Sequence, residues 1–389
     1  MKIRSRVIVS ESGGVAAPDG PHLLALVTDA YGGYGGIAQY NRDFLGAAAR
    51  SGLFRSILAL PRIAPHDQGG LPSGLWQERP TKGRLYYGLR ALVSALRNRP
   101  SIIFNAHVKH GPLALILARL TGTRLVSQLH GTEVWEPLPY FARKALEASD
   151  LILTVSRDTR ARALAQLRIA PERVVVLNNT VDDAFCPGDR ESARRRFGLG
   201  EELAVLTVAR LDGRGGYKGH DRIIEILPEL SGRGLAVTYL VAGTGSDRER
   251  LKQLAHDLKV SDRVRFLGMV PTADLLDLYR AADLFALPST GEGFGIAFVE
   301  AMACGTPAIG LAVGGAPDAL ADGNLGICIT PEEFPNALIS ALKNCNTRNE
   351  GLPQLVRERF GPVSFARVLA MHLGLLLVDD DTSRPSHLN

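Results

Sequence analysis

The feature that most constrains the fold is an alternation of short β-rich runs with helical stretches, which occurs twice in succession along the chain. Strands that alternate with helices form a parallel sheet with helices packed on its faces. Two consecutive series therefore predict an α/β protein with two doubly wound, Rossmann-like domains. Ligands of such sheets bind beyond the carboxyl ends of the strands, so we expect a site in a cleft between two facing domains.

The predicted strands fall into two groups. Those of the first group are His22–Thr28, Arg55–Leu60, Ile102–Asn105, Leu125–Leu129, Leu151–Val155 and Arg173–Leu177. Those of the second group are Leu203–Val208, Ala236–Val241, Val264–Leu267, Leu284–Leu287 and Ala308–Gly310. Helical periodicity lies between the strands, for example at Ile37–Ala49 and Leu85–Leu96.

A turn-rich passage, Asn178–Arg190, separates the two groups and is the predicted linker because it contains Pro187 and Gly188. The predicted divisions are a first domain at 1–187, a second domain at 188–362, a closing helix at 363–378 and a polar tail at 379–389.

Composition indicates a globular protein, with 46% hydrophobic and 22% charged residues. No apolar run is long enough to suggest a membrane span, and the N-terminus lacks the apolar core of a secretory signal. The four cysteines form no C-x-x-C pair and are expected to be reduced thiols. We therefore expect a cytoplasmic protein.

Basic residues are concentrated in the first half. Between Arg79 and Thr132 there are nine Lys or Arg residues and no Asp or Glu. This excess indicates either an anionic partner, such as a lipid headgroup or a phosphorylated acceptor, or a merely solvated basic surface. Within this region Arg84–Arg99 is a predicted helix with an apolar side, which either packs on the sheet or lies on a membrane surface. No nucleic-acid recognition motif accompanies the charge, so nucleic acid is not a predicted partner.

The densest motif runs from Pro288 to Pro307, directly after a predicted strand. Its glycine-rich loop opens a helix, and the free N–H groups at the start of a helix suit a pyrophosphate. Glu292 on the loop and Glu300 on the helix form an E-x7-E pair, and carboxylates suit the hydroxyl groups of a sugar. The segment therefore predicts a ligand that carries both a diphosphate and hydroxyl groups.

A second motif follows the strand Leu203–Val208. Arg210 and Lys218 bracket a glycine-rich loop, so both can converge on one anion and neutralise a departing diphosphate in place of a metal. Arg214 lies in the same loop and is either a ligand or a bystander.

Two weaker signals lie in the first half. The glycine loop Tyr31–Tyr40 follows the first strand, and His130 follows the strand Leu125–Leu129, where it either binds a sugar hydroxyl or is a structural histidine. The sequence has no zinc-site spacing, and no carboxylate pair follows a strand where a catalytic metal would be expected. We predict no metal requirement.

Together these segments resemble the retaining glycosyltransferases of family 4, which have the GT-B fold. The resemblance covers roughly His22 to Val378 and is strongest over Val205–Leu320. It implies that the second domain binds a nucleotide-sugar, that the first domain binds the acceptor, and that the C-terminal helix crosses back to the first domain.

The resemblance also implies roles for individual residues. Arg210 and Lys218 would hold the diphosphate, Glu300 the ribose, and Glu292 the donor sugar. The implied catalytic residues are His130, Arg210, Lys218 and Glu292. The implied donor-binding residues are Gly35, Gly36, Gly243, Phe266, Leu267, Gly268, Phe294, Gly295, Ile296 and Glu300.

Two departures from the family pattern are visible. Seven residues separate Arg210 from Lys218, where many members have four or five, which leaves a role for Arg214 open. Asp318 stands where glutamate is commoner, which affects the expected local geometry more than the activity.

We therefore expect a metal-independent, retaining hexosyltransferase of polysaccharide or lipopolysaccharide biosynthesis. It would transfer a mannose- or glucose-type sugar from a GDP- or UDP-sugar to a glycan or lipid-linked acceptor, without a cofactor. Peripheral association with the inner face of the membrane remains open. The alternatives are a sugar-nucleotide epimerase or phosphorylase of the same fold and a non-catalytic sugar-nucleotide-binding protein.

Overall fold

The computed structural model describes residues 20–211, 217–344 and 349–383. The chain divides into two compact units. The first unit comprises Met1–Ser127, Lys144–Asp150 and Ala366–Asn389, and the second comprises Gln128–Arg143 and Leu151–Phe365. The boundary expected near residue 187 stays a prediction.

A seven-stranded sheet is formed by the first group of strands. They are β1 (His22–Val27), β2 (Ser56–Pro61), β3 (Leu75–Gln77), β4 (Ile102–Asn105), β5 (Arg124–Leu129), β6 (Leu151–Thr154) and β7 (Val174–Val176). Their order is β3-β2-β1-β4-β5-β6-β7, and β1 pairs in parallel with both β2 and β4. Strand β1 is apolar and buried along almost its whole length, as expected where helices cover both faces of a parallel sheet.

A six-stranded parallel sheet is formed by the second group. Its strands are β8 (Leu203–Val208), β9 (Val237–Ala242), β10 (Val264–Gly268), β11 (Leu284–Leu287), β12 (Ala308–Leu311) and β13 (Ile327–Ile329). Their order is β10-β9-β8-β11-β12-β13. The chain leaves β8 towards one edge and β11 towards the other, so the order of the strands reverses between these two neighbours. Such a reversal opens a crevice at the carboxyl ends of the strands.

The α-helices of the described residues lie between these strands or follow the last of them. They are α1 (Gly36–Arg50), α2 (Arg84–Asn98), α3 (Gly111–Thr121), α4 (Tyr140–Glu147), α5 (Arg157–Gln166), α6 (Arg190–Arg196), α7 (His220–Gly232), α8 (Arg248–Asp257), α9 (Thr272–Ala281), α10 (Ile296–Ala303), α11 (Ala316–Ala319), α12 (Phe334–Lys343), α13 (Leu352–Phe360) and α14 (Pro362–Ser383).

The predicted fold class is confirmed, and every predicted strand is present with ends that differ by no more than one residue. The prediction missed β3 and β13, which are edge strands of three residues each. A run of three residues is too short to show a two-residue periodicity. Strand β7 is also an edge strand of three residues, but it was found because its three consecutive valines favour a strand.

The C-terminal helix α14 begins close to its predicted start and continues to Ser383, past residue 379 where the polar tail was expected. Residues from Ala366 onward belong to the first unit, and Gly374 lies against the side chain of Leu53. The predicted return of this helix to the first part of the fold is therefore confirmed.

One stretch of the described chain, Leu352–Val378, is long and apolar enough to cross a membrane by length and composition alone. The expectation that no segment meets this standard was wrong, because a count of uninterrupted apolar residues overlooks a helix in which few charges are spread among many apolar positions. The stretch is divided between two helices, because α13 ends just before Gly361 and α14 begins just after it. Core helices of water-soluble proteins meet the same standard.

Candidate functional site

The motif residues of the second half meet at the carboxyl ends of β8 and β11, where the strand order reverses. The loop after β8 carries Lys218 just before α7, and the loop after β11 carries Glu292 just before α10. Since β8 and β11 are hydrogen-bonded neighbours, their following loops emerge side by side.

An ion pair joins these two loops. The Nζ atom of Lys218 lies 2.6 Å from Oε1 of Glu292, and Glu292 is only 7% exposed. The same Nζ atom lies 4.9 Å from the centre of the Tyr217 ring, within the range of a cation–π interaction. A carboxylate so shielded from water is costly unless it is paired, and Lys218 supplies its counter-charge.

The backbone fixes the loop that carries Glu292 from two sides. The N–H of Thr290 donates to the carbonyl of Tyr217 over 2.8 Å, which joins the loop to the Lys218 segment. The N–H of Gly315 donates to the carbonyl of Glu292, also over 2.8 Å. Both charged side chains therefore project from backbone that is held in place.

A third segment of the second unit packs against this loop. A Cβ atom on Gly293 would overlap the carbonyl oxygen of His130, so no larger residue fits there without a shift of the backbone. The N–H of His130 donates to the carboxylate of Glu133 over 3.1 Å, which closes a tight turn after β5. The structure thus brings the predicted residue His130 against the glycine-rich loop that carries Glu292 and Gly293.

Aromatic side chains that the sequence analysis did not single out complete this region. The Trp135 ring lies 6.3 Å from the Tyr217 ring in an edge-to-face arrangement, and a Cβ atom on Gly291 would come within 2.8 Å of the indole. Trp135 follows His130 closely in the sequence, but a tryptophan in a turn gives no indication of the loop that it will contact. Its position depends on tertiary packing.

Glu300 lies on α10, and its Oε2 atom accepts a hydrogen bond from the Tyr279 hydroxyl over 2.7 Å. Burial raises the pKa of the Glu300 carboxyl to about 7, and the Tyr279 hydrogen bond partly offsets this effect. Tyr279 lies on α9 and is completely buried. The sequence analysis missed it because a tyrosine in an apolar helix reads as an ordinary core residue.

Arg210 is exposed directly after β8. Gly243 and Gly245 pack against the backbone on either side of it, because Cβ atoms at these glycines would overlap the carbonyl oxygens of Ala209 and Leu211. Close approach to the Arg210 segment therefore explains why glycine is needed at 243, and its predicted contact with a donor stays a prediction. Arg214 lies outside the described residues.

The remaining predicted residues of the second unit lie at strand ends or at the start of α10. Phe266, Leu267 and Gly268 end the edge strand β10, and the carbonyl of Gly268 accepts from the N–H of Gly243 over 2.8 Å. Phe294 is buried with its ring 5.6 Å from that of Phe360. Gly295 caps α10 and Ile296 is its first residue.

Gly35 and Gly36 belong to the first unit, at the beginning of α1. A Cβ atom on either glycine would meet no other atom within 4 Å, so packing does not require glycine there. They are not among the residues that the second unit brings together.

Asp318, the departure from the family pattern, is a buried carboxylate on α11. It accepts from the Arg157 backbone N–H over 3.3 Å and from Arg157 Nε over 3.2 Å. The shorter aspartate side chain thus has a specific partner, and α11 continues from the Gly315 backbone that holds the Glu292 loop.

Taken together, the site offers the cations Lys218 and Arg210 and the N-terminus of α10, all at the carboxyl edge of one sheet. These features favour a polyanion, and the carboxylates of Glu292 and Glu300 favour hydroxyl groups nearby. The described residues contain no group of three or more His, Cys, Asp or Glu side chains placed to hold a metal ion.

We predict that Gly293→Ala disturbs the site, because the added methyl group overlaps the His130 carbonyl oxygen. The expected loss of unfolding free energy is about 1–3 kcal/mol, typical of overpacking. Gly232→Ala is the matched control, since a Cβ atom there meets nothing within 4 Å at the end of α7. Denaturant titration of both variants measures the effect, and equal stability of the two would contradict the packing described here.

We predict a pH-dependent effect of Glu300→Gln. The folded-state pKa of Glu300, about 7, lies above the ordinary value of 4.5, so the folded chain binds this proton more tightly than the unfolded chain does. The contribution of Glu300 to stability is therefore present at low pH and lost as the pH rises through about 7. The free energy of unfolding of Glu300→Gln, relative to that of the wild type, should therefore rise by about 1–2 kcal/mol as the pH is raised from 5.5 to 8.5.

Glu332→Gln serves as the control for this experiment, because Glu332 is exposed. Thermal unfolding of the three proteins across the pH range measures the differences. A constant difference between Glu300→Gln and the wild type would show that Glu300 titrates at its ordinary pKa.

Two family models match consecutive parts of the chain. The model for Glycosyltransferase Family 4 matches residues 34–185, and the model for Glycosyl transferases group 1 matches residues 189–351. Together they account for most of the chain, including Gly35 and Gly36 of the first unit and the Lys218–Glu292 pair.

Similar proteins carry related names. A GDP-mannose-dependent alpha-(1-6)-phosphatidylinositol monomannoside mannosyltransferase of Mycolicibacterium smegmatis is 36% identical over 235 residues, which cover 56% of this chain and 60% of that protein. A D-inositol 3-phosphate glycosyltransferase of Mycobacterium bovis is 40% identical over 200 residues, which cover 50% of this chain and 41% of that protein. The chain thus spans about half the length of the curated relatives it matches.

The fold is also found in a solved structure, that of Anabaena HepE in complex with UDP. It superimposes with a TM-score of 0.72 over 90% of this chain and 99% of HepE, at 22% sequence identity. The two family models, the presence of two Rossmann-like sheets and the E-x7-E segment agree with one another. The chain belongs to glycosyltransferase family 4 and has the GT-B fold.

Proposed function

We propose that this protein is a retaining hexosyltransferase that moves a hexose from a nucleoside-diphosphate sugar to a glycan or lipid-linked acceptor. The observation that carries the proposal is the Lys218–Glu292 ion pair, which stands beside the N-terminus of α10 at the carboxyl ends of β8 and β11. A cation and a helix N-terminus suit the diphosphate, and the carboxylate suits the sugar.

The donor is proposed to be a GDP- or UDP-sugar, with GDP-mannose favoured. Support for mannose comes from the Mycolicibacterium smegmatis relative, whose name specifies GDP-mannose. Support for a nucleotide-sugar donor in general comes from the E-x7-E segment. In that segment Glu292 lies on the loop before α10 and Glu300 lies on the helix itself. No cofactor or metal is needed in this proposal, because Lys218, Arg210 and the helix N-terminus supply the positive charge.

In the proposed reaction, the bond between the anomeric carbon and the β-phosphate oxygen breaks as charge builds up on the diphosphate. Lys218 and Arg210 stabilise that charge, which lowers the barrier because the interaction strengthens in the transition state. The acceptor oxygen forms its bond to the anomeric carbon on the face that the diphosphate leaves, and its proton passes to a phosphate oxygen. The configuration of the anomeric carbon is thereby retained.

The ion pair gives donor binding a defined first step. In the structure Lys218 neutralises Glu292, so neither charge is uncompensated before the donor arrives. A diphosphate attracts Lys218, and a sugar hydroxyl then donates to the Glu292 carboxylate in its place. The exchange substitutes one set of charge-assisted hydrogen bonds for another and keeps the buried carboxylate satisfied.

Glu300 is proposed to accept hydrogen bonds from the ribose hydroxyls, and His130 to contact the donor sugar. The carboxyl group of Glu300 accepts charge-assisted hydrogen bonds from hydroxyls only when it is ionised, and its pKa is raised to about 7. Donor affinity should therefore rise with pH through the neutral range. Tyr279 acts here as a positioning residue, since its hydroxyl holds one oxygen of the Glu300 carboxylate.

We propose a cytoplasmic location with peripheral association at the inner face of the membrane. The basic excess between Arg79 and Thr132 supports an anionic partner, and the phosphatidylinositol-derived substrate in the name of the Mycolicibacterium smegmatis relative supports a lipid-linked acceptor. An epimerase would be the alternative enzyme of this fold. It differs in releasing an isomerised sugar without any acceptor.

We predict that Lys218→Ala lowers kcat by on the order of 10², because the developing charge on the diphosphate loses one of its stabilising cations. Lys252→Ala is the control, since Lys252 pairs with exposed Glu249 on α8. The measurement is sugar transfer, or donor hydrolysis without acceptor, from the GDP- or UDP-sugar that most raises the melting temperature.

Two outcomes would overturn the proposal. Unchanged turnover of Lys218→Ala would remove the assigned role of the cation. Stabilisation by none of the nucleotide-sugars would remove the donor class itself.

A further inference from the structure

One side chain touches the residues next to both members of the Lys218–Glu292 pair. The indole of Trp135 lies edge to face against the Tyr217 ring, with 6.3 Å between the ring centres and 78° between the planes. Tyr217 directly precedes Lys218 in the sequence. The far edge of the same indole lies on the backbone of Gly291, since a Cβ atom there would come within 2.8 Å of its Cη2 atom. Because Gly291 directly precedes Glu292, Trp135 contacts both loops that carry the pair.

The turn that carries Trp135 is held in place by one amide side chain. Gln166 of α5 donates from Nε2 to the carbonyl of Val134 over 2.9 Å, and its Oε1 atom accepts from the N–H of Leu138, also over 2.9 Å. These two hydrogen bonds fix the backbone on both sides of Trp135. The turn, α5 and both loops belong to the second unit. The indole therefore has a defined position from which it can orient its neighbours.

The Tyr217 ring links the position of the indole to Lys218. The Nζ atom of Lys218 lies 4.9 Å from the centre of the Tyr217 ring and 2.6 Å from Oε1 of Glu292. The ammonium group is thus held by one carboxylate and by one aromatic ring. In the proposed reaction Lys218 leaves the carboxylate for a phosphate oxygen, and the ring can attract the cation in both positions. The orientation of the ring then limits where the ammonium group can go, and the edge-to-face contact with Trp135 fixes that orientation.

These two rings differ from the aromatic side chains of the protein interior. Trp135 and Tyr217 are only partly buried, whereas core rings such as Tyr239 and Phe285 are completely shielded from water. The indole rests on a glycine of a charged loop and not among apolar side chains. Aromatic side chains that surround a few charged groups are typical of ligand sites. Their placement therefore favours a role at the site over a contribution to the core.

We propose that Trp135 is a positioning residue, which acts through the Tyr217 ring to keep the Lys218 ammonium group where it meets the leaving diphosphate. The inference rests on the function proposed above, because it assigns Trp135 a part in the same transfer. Lys218 interacts most strongly with the diphosphate when negative charge has built up there, in the transition state. A misplaced ammonium group therefore lowers kcat more than it raises the KM for the donor.

The experiment measures kcat and KM for hydrolysis of GDP-mannose, and of UDP-glucose in parallel, by the full chain and its variants. Trp135→Ala and Tyr217→Leu should each lower kcat by about tenfold and change KM by less than about threefold. Since both changes interrupt the same contact, the double variant should lose no more than either single variant. Tyr217→Phe keeps the ring and should restore kcat to within about twofold of the wild type. Trp76→Ala, which removes an exposed indole from β3 of the first unit, is the matched control.

Gly291→Ala tests the same contact without removing the indole. The three atoms nearest to a Cβ atom at this position are all carbons of Trp135, and the Gly291 backbone is not left-handed. The indole is therefore what an added methyl group meets first. The methyl group should displace the indole from Tyr217 and lower kcat by about threefold or more. In the Trp135→Ala background the same substitution should lower kcat no further, because the group that opposes it is gone.

Three results would contradict the role of Trp135: wild-type kcat in Trp135→Ala, additive losses in the double variant with Tyr217→Leu, or a Gly291→Ala loss that persists without the indole. Thermal stabilisation by GDP-mannose and by UDP-glucose is measured in parallel for every variant. A wild type that neither donor stabilises would contradict the proposed function. A stabilised and active wild type beside an equally active Trp135→Ala variant would contradict this inference alone.

Discussion

The ammonium group of Lys218 and the carboxylate of Glu292 lie 2.6 Å apart where Glu292 is almost entirely shielded from water. Removing either partner would leave an uncompensated charge in a poorly hydrated position, which costs several kcal/mol. The pair therefore requires the two loops that carry it to stay together. It also explains why those loops are joined through their backbones as well as through their side chains.

The backbone contacts around this pair account for the residue types in the motifs. Glycine at 293 lets the loop approach the carbonyl of His130, and glycine at 315 leaves room for the carbonyl oxygen of Gly293, which a Cβ atom would meet at 2.0 Å. Glycine at 243 allows the neighbouring loop to lie against the segment of Arg210. Glycines that the sequence analysis interpreted as points of contact with a ligand thus also allow the close backbone packing that positions the charged side chains.

Sequence reasoning was most successful where the signal is local. Buried parallel strands are continuous apolar runs, so all the longer strands were found within one residue of their ends. Lys218 and Glu292 were each singled out by their positions after strands, whereas their ion pair emerges only from the pairing of β8 with β11. The edge strands β3 and β13 were missed because each is a run of three residues without the consecutive valines that mark the equally short β7.

Contacts that depend on tertiary packing were beyond such reasoning. Nothing in the sequence around Tyr279 indicates that its hydroxyl reaches Glu300, or that burial raises the pKa of Glu300 to about 7. Trp135 shows the same limit, since its approach to Gly291 joins segments that are far apart in the chain. The apolar side of α2 was visible in the sequence, but whether it faced the core or solvent depended on how the helix packs.

The most direct test of the account is a crystal structure of the protein with an intact GDP- or UDP-sugar bound, in which the distance between Lys218 Nζ and Glu292 Oε1 is measured. The account predicts that Lys218 leaves Glu292 and contacts the β-phosphate beside the N-terminus of α10, so that Glu292 is available to a sugar hydroxyl. A diphosphate bound elsewhere, with the 2.6 Å ion pair intact, would contradict it.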